Sequence, residues 1–148
     1  MMRVHGTSVT IGENGVLLRG PSGSGKSDLA LRLIDQGARL VADDQTELRR
    51  EGDALSMCAP HTIAGLLEVR GLGIVKVPAV ARARLRLVVD LVPEVALERL
   101  PAPRSCALAG VRVPVLALAP FAASAPAKLR LALATLDAPV FTGALDAP

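Results

Sequence analysis

The octapeptide Gly20-Pro21-Ser22-Gly23-Ser24-Gly25-Lys26-Ser27 leaves this chain little choice locally: a strand must enter a tight glycine-rich loop and a helix must leave it. The pattern G-x-x-x-x-G-K-S is complete, and its context agrees. The apolar run Val16-Leu17-Leu18 precedes it, and Ser27 to Gln36 follows with Leu29, Ala30, Leu33 and Ile34 on a helical stripe. A bare match can arise by chance, but the strand before and the helix after make the signal strong. In such a loop the backbone N–H groups and the positive end of the helix dipole wrap a chain of phosphates. Gly20, Pro21, Ser22, Gly23, Ser24, Gly25, Lys26 and Ser27 are therefore candidate nucleotide-binding residues. Lys26 would reach the outer phosphates, and the Ser27 hydroxyl would ligate Mg²⁺.

A chain of 148 residues, 51% hydrophobic, can bury a core of its own and reads as one unit over 1–148. Charge or proline interrupts every apolar stretch before it could span a bilayer. Met1 to Gly6 lacks the apolar centre of a signal peptide. The expectation is a cytoplasmic protein with no membrane partner. Cys58 and Cys106 fit a reducing compartment and lack the paired ligands of a zinc site. The net charge of +3 does not demand nucleic acid. Trp and Tyr are absent, and the only phenylalanines are Phe121 and Phe141, so a base-stacking surface is hard to build. No nucleic-acid partner is expected, and any adenine should be held by aliphatic walls and backbone.

Periodicity and turn residues give strands at Ser8–Ile11, Val16–Arg19, Arg39–Ala42, Leu85–Val92 and Val111–Leu118. A hairpin turn is expected at Glu13-Asn14-Gly15, and a second hairpin about Glu51-Gly52-Asp53. Short helices are expected over Pro60–Leu67 and Pro93–Leu100. A loop should run from Glu68 to Ile74 into a strand, and Lys128–Leu136 should be helical after an Ala/Pro-rich loop. The tail from Asp137 should fray. These elements make an α/β fold.

Asp43-Asp44 closes the strand after the loop helix. A phosphoryl-transfer site needs a carboxylate near the phosphates, and that strand end should face the same crevice as the loop. Neighbours on a strand point to opposite sides, so one of the pair should face metal and substrate more directly. Glu68 and Arg70, alone, make the pattern of a solvated edge; the glycines at 71 and 73 suggest backbone brought close to something. His5 before Gly6, and Arg99, are by themselves uninformative. Arg82, Arg84 and Arg86 share a strand face that reads as wet rather than as a docking patch.

In order and spacing, His5-Gly6, the Gly20–Ser27 loop, Leu40-Val41-Ala42-Asp43-Asp44 and Leu67-Glu68-Val69-Arg70-Gly71-Leu72-Gly73-Ile74 resemble the catalytic domain of HPr kinase/phosphorylase. The Glu-x-Arg-Gly-x-Gly-Ile run is the distinctive part, and the likeness covers residues 4 to about 100. The resemblance implies a P-loop kinase core related to phosphoenolpyruvate carboxykinase, with a mixed central sheet and flanking helices. It implies transfer of a phosphoryl group from ATP, with Mg²⁺, to a serine of HPr, the phosphocarrier of the sugar phosphotransferase system, and a hexameric assembly. Carried over, Asp44 would take the serine proton, Lys26 and His5 would stabilise phosphate charge, and Ser27 and Glu68 would hold Mg²⁺. Asp43 and Arg70 would support the site. Arg99, in Leu97-Glu98-Arg99-Leu100, resembles the family's active-site arginine.

The departures matter. The resemblance takes in only the family's catalytic domain, so a catalytic core without the usual N-terminal domain is expected, and Asp28 stands where Glu is usual. The loop tied to phosphorolysis normally carries Lys and Arg; here Pro120 to Pro126 has neither. Phosphate and phosphoserine need cationic partners, so kinase activity with weak or lost phosphorylase activity is expected. Two other readings remain open: a P-loop kinase of a small metabolite, and a non-catalytic nucleotide-binding regulatory module.

Overall fold

The structure, a computed structural model, describes residues 1–137. Its strands are β1 (Met2–His5), β2 (Thr7–Ile11), β3 (Asn14–Arg19), β4 (Arg39–Ala42), β5 (Gln45–Glu51), β6 (Ala54–Cys58), β7 (Leu66–Val69), β8 (Gly73–Lys76), β9 (Ala83–Leu91), β10 (Arg104–Leu108) and β11 (Val111–Leu118). The helices are α1 (Lys26–Asp35) and α2 (Ala125–Asp137). Nine strands form one mixed sheet in the order β1-β5-β6-β9-β3-β2-β4, with β11 parallel to β9 and β10 antiparallel to β11. β7 and β8 make a separate hairpin.

β9 is the central strand, and β3, between β9 and β2, is apolar on both faces. Val16 and Leu18 join one core with Leu29, Leu33, Leu87, Val89, Leu129 and Leu133, under both helices. Leu17 points the other way, into a second core with Val41, Leu48, Leu55, Met57 and Val88. A continuous apolar run is what a strand covered on both sides requires.

The expected strands are present, with informative corrections. The first hairpin turns at Gly12-Glu13, not at Glu13-Asn14-Gly15, because Gly12 takes a φ of 62° and pairs Ile11 with Asn14. β4 runs in the same direction as β3, but β2 lies between them, antiparallel to both. The crevice end is thus shared although the two strands are not neighbours.

Pro60–Leu67 is not a helix. One 3₁₀ turn spans His61–Ile63, and then β7 begins, with Leu67 and Val69 buried and Glu68 exposed. That period of two places Glu68 on a strand rather than in the expected loop. Pro93–Leu100 holds only a 3₁₀ turn, Glu94–Ala96, with Val95 and Leu100 exposed. So short a segment, without a buried stripe, cannot offset the cost of nucleating a helix. α2 starts at Ala125, three residues before the expected Lys128, with Pro126 in its first turn. β10 went unread because its exposed Arg104-Ser105 gives no alternation. The tail beyond residue 137 lies outside the described residues.

Candidate functional site

The C-terminal ends of β3 and β4, the start of α1 and the β7–β8 hairpin converge on a cavity of about 620 Å³. Its lining includes Ser22, Gly23, Gly25, Lys26, Ser27, Asp28, Asp43, Asp44, Glu68, Arg70 and Phe121. The loop that forms its floor has local reasons for its residues. Gly25 sits at φ 100°, a conformation L side chains rarely adopt, and a Cβ there would lie 2.9 Å from the Phe121 ring. A Cβ on Gly20 would lie 2.5 Å from Ser24 Oγ. Lys26 is buried, and its ammonium donates to the Gly20 carbonyl at 2.7 Å and the Pro21 carbonyl at 3.0 Å. Both bonds keep the charge inside the curve of the loop.

Asp43 is the internal clasp of this site. Its Oδ1 accepts hydrogen bonds from Ser27 Oγ at 2.8 Å and Thr7 Oγ1 at 3.0 Å, and its Oδ2 accepts from the Glu68 N–H at 3.0 Å. One buried carboxylate therefore ties α1, β2 and β7 together. Asp44 turns the other way, with 61% of its side chain exposed, and its Oδ1 lies 2.7 Å from His5 Nε2. The two aspartates diverge, but not by strand alternation: β4 ends at Ala42, and both carboxylates still line the cavity. Asp44 holds a φ of 64°, with its N–H donating to Thr7 Oγ1 at 3.1 Å and its carbonyl accepting from the Gly6 N–H at 2.8 Å. Asp is among the few residues that tolerate this conformation, at a cost of about 1–2 kcal/mol. Gly6 is itself required, because a Cβ there would lie 2.9 Å from the Leu18 carbonyl.

The family model describing the HPr Serine kinase C-terminal domain matches residues 1–119. The chain belongs to that family. An HPr kinase/phosphorylase from Exiguobacterium sp. is 51% identical over 78 residues, covering 52% of this chain and 25% of the relative. One from Geobacillus kaustophilus is 48% identical over 96 residues, covering 60% of this chain and 31% of the relative. The chain thus spans between a quarter and a third of the curated relatives it matches. The solved structure of the Hpr(Ser) kinase/phosphatase from Coxiella burnetii aligns with a TM-score of 0.81 at 27% identity, covering 91% of this chain and 95% of that one. The mixed α/β architecture is that of the HPr kinase family.

Of the residues singled out from this family's pattern, the structure brings together Lys26, Ser27, Asp43, Asp44, Glu68 and Arg70 around the cavity, with His5 on Asp44. Arg99 is not among them: it is exposed, on the stretch between the Glu94–Ala96 turn and β10. Three contributors escaped the sequence reading. Thr7 braces both aspartates; a threonine directly after His5-Gly6 at the start of a strand was the available signal. Arg19, the residue before the loop, forms a two-pronged pair with Asp90 at 2.7 and 3.1 Å, and hydrogen bonding to Asp90 raises its already high pKa against the opposing effect of burial. Arg32 pairs with Asp28 at 3.1 Å and also donates to the Pro120 carbonyl. Only the tertiary structure joins Arg19 to Asp90 and Arg32 to Pro120.

The donor set suits a hard cation beside phosphates. Ser27 gives its hydroxyl proton to Asp43, which leaves the oxygen lone pairs directed elsewhere. Mg²⁺ usually takes one or two protein oxygens, completing its shell with water and phosphate. Among the described residues, no group of three or more His, Cys, Asp or Glu that could hold a metal ion occurs. Within the loop, Ser24 Oγ is buried without a hydrogen-bond partner, a deficit that a bound oxyanion would relieve.

Proposed function

We propose that this chain is the catalytic core of an ATP-dependent protein-serine kinase whose acceptor is an HPr-like phosphocarrier, with phosphorolysis weak or lost. The observation that carries the reading is the 2.7 Å pair of Asp44 and His5, standing on the same cavity as the Gly20–Ser27 loop. A serine hydroxyl is a poor nucleophile and needs a carboxylate to take its proton as the new bond forms. With Nε2 protonated, His5 donates to Asp44 Oδ1 and leaves Oδ2 open to the incoming hydroxyl. The proton passes to Asp44, the serine oxygen gains the phosphoryl group, and the leaving diphosphate stays on the loop. Lys26 and the loop N–H groups hold the phosphates and offset their charge.

Ser27 and Glu68 are the residues we assign to Mg²⁺; when bound, the ion would supply neutralisation of phosphate charge. Asp43 and Arg70 act in support, the first as the clasp and the second at the rim. Arg99 enters this reading on family resemblance alone; wild-type transfer rates in an Arg99→Ala variant would remove it. Hexameric assembly rests on the same resemblance, and a cytoplasmic setting on the sequence reading of Met1 to Gly6 and the interrupted apolar stretches. Among the described residues no helix is long and apolar enough to cross a membrane. The loss of phosphorolysis rests on the Pro120–Pro126 segment, which lacks its own cation.

The test is transfer of the γ-phosphate of labelled ATP to purified HPr-like carrier. Transfer is expected from the wild type and not from Asp44→Asn, which should still bind nucleotide. Labelling that survives Asp44→Asn sinks the assignment. Pyrophosphate released briskly from phospho-carrier and inorganic phosphate would show that the reading of the 120–126 segment is mistaken.

A further inference from the structure

We propose that Phe121 is the stacking platform for the base of the bound nucleotide, a role that composition alone argues against. The inference rests on the phosphate-binding reading of the Gly20–Ser27 loop and adds the specificity element that the loop lacks. Such a loop recognises phosphates through backbone N–H groups and cannot tell a nucleotide from an inorganic polyphosphate.

Phe121 is the one Phe, Tyr or Trp among the described residues. It lines the cavity, yet 69% of its surface is exposed. Its Cζ and Cε1 atoms lie 2.9 and 3.2 Å from the position a Cβ on Gly25 would take. The ring therefore meets the loop through one edge, and its remaining surface is open at the mouth of the site.

The backbone that carries the ring is anchored on both sides. The Pro120 carbonyl accepts a hydrogen bond from Arg32 on α1, and Arg32 is braced by Asp28 one turn earlier. Behind it, the Ala122 N–H donates to the Ala119 carbonyl at 3.3 Å and the Ala125 N–H to the Ala122 carbonyl at 3.1 Å, carrying the chain into α2. A solvent-facing ring on an anchored backbone beside a phosphate loop gains little from burial in the fold itself. It is suited to a flat aromatic ligand, since every nucleobase has a π-face that stacks on such a ring.

Stacking of one base on one aromatic ring is worth roughly 1–3 kcal/mol, equivalent to about 5- to 150-fold in affinity. Calorimetric titration of wild-type protein and Phe121→Ala with Mg·ATP and with Mg·tripolyphosphate tests the proposal. The variant should bind ATP at least about 5-fold more weakly and tripolyphosphate unchanged. Phe121→Leu keeps apolar bulk against Gly25 without the ring and should lose ATP affinity in the same direction. Phe121→Trp should keep ATP affinity, and its indole, the only one in the chain, should be quenched by ATP and not by tripolyphosphate. Equal losses for both ligands in Phe121→Ala and Phe121→Leu would mean that the ring merely supports the loop, and would overturn the inference. So would unchanged ATP affinity in either variant. A wild type that binds neither ligand would overturn the phosphate-loop reading along with it.

Discussion

Replacing Asp43 by alanine removes one side chain and three hydrogen bonds. The acceptor lost is shared by Thr7 Oγ1, Ser27 Oγ and the Glu68 N–H, at 2.8 to 3.0 Å. The two hydroxyls can rotate toward other partners, so each loss is worth about 1 kcal/mol. The Glu68 amide cannot rotate. Left without an acceptor, it costs about 1–3 kcal/mol. The sum, roughly 3–5 kcal/mol, is a large share of the 5–15 kcal/mol typical of a folded domain. Urea unfolding is the assay. With a slope of about 1–3 kcal/mol per molar urea, the midpoint should fall by about 1–5 M. Asp43→Asn separates charge from shape. Its oxygen can serve the two hydroxyls, but its amide then abuts the Glu68 N–H, donor against donor, so a loss of about 2 kcal/mol is expected. An Asp43→Ala protein within about 0.5 kcal/mol of wild type, a surface-substitution value, would refute the clasp argument.

Asp44→Asn should fold normally, because Asn tolerates the left-handed backbone at this position and keeps the His5 contact; transfer to the carrier should fall by about 10²–10⁴-fold while ATP affinity holds. Gly25→Ala should destabilise by at least about 1 kcal/mol and weaken ATP binding, since φ 100° and the Phe121 ring both exclude a methyl group; thermal melting with and without ATP reads both effects. Asp90→Ala leaves Arg19 without its two-pronged partner next to the loop; partial solvent exposure limits the cost to about 1–2 kcal/mol, measurable by urea unfolding, and Asp90→Asn should recover part of it.

Much of this site is local and therefore readable in one dimension. A strand, eight loop residues and a helix N-terminus are contiguous in the chain, so the Gly20–Ser27 floor follows from residue types and spacing. The acidic pair itself is readable at the end of β4, but its divergence is not strand pleating: β4 stops at Ala42 and Asp44 turns into the left-handed region. Phe121 shows the limit. It is distant in sequence from the loop, no periodicity marks it, and its edge contact with Gly25 depends on how α2 returns over α1.

The sequence on its own determined the strand–loop–helix unit, the identity of the acidic pair and the family pattern around Glu68, because short-range geometry carries each of them. Tertiary structure alone decided that β2 separates β3 from β4, that Glu68 rides a strand held by Asp43, and that Arg99 stays outside the cavity. These outcomes depend on pairing and burial between segments far apart in the chain. No local propensity encodes which buried carboxylate a distant amide will find.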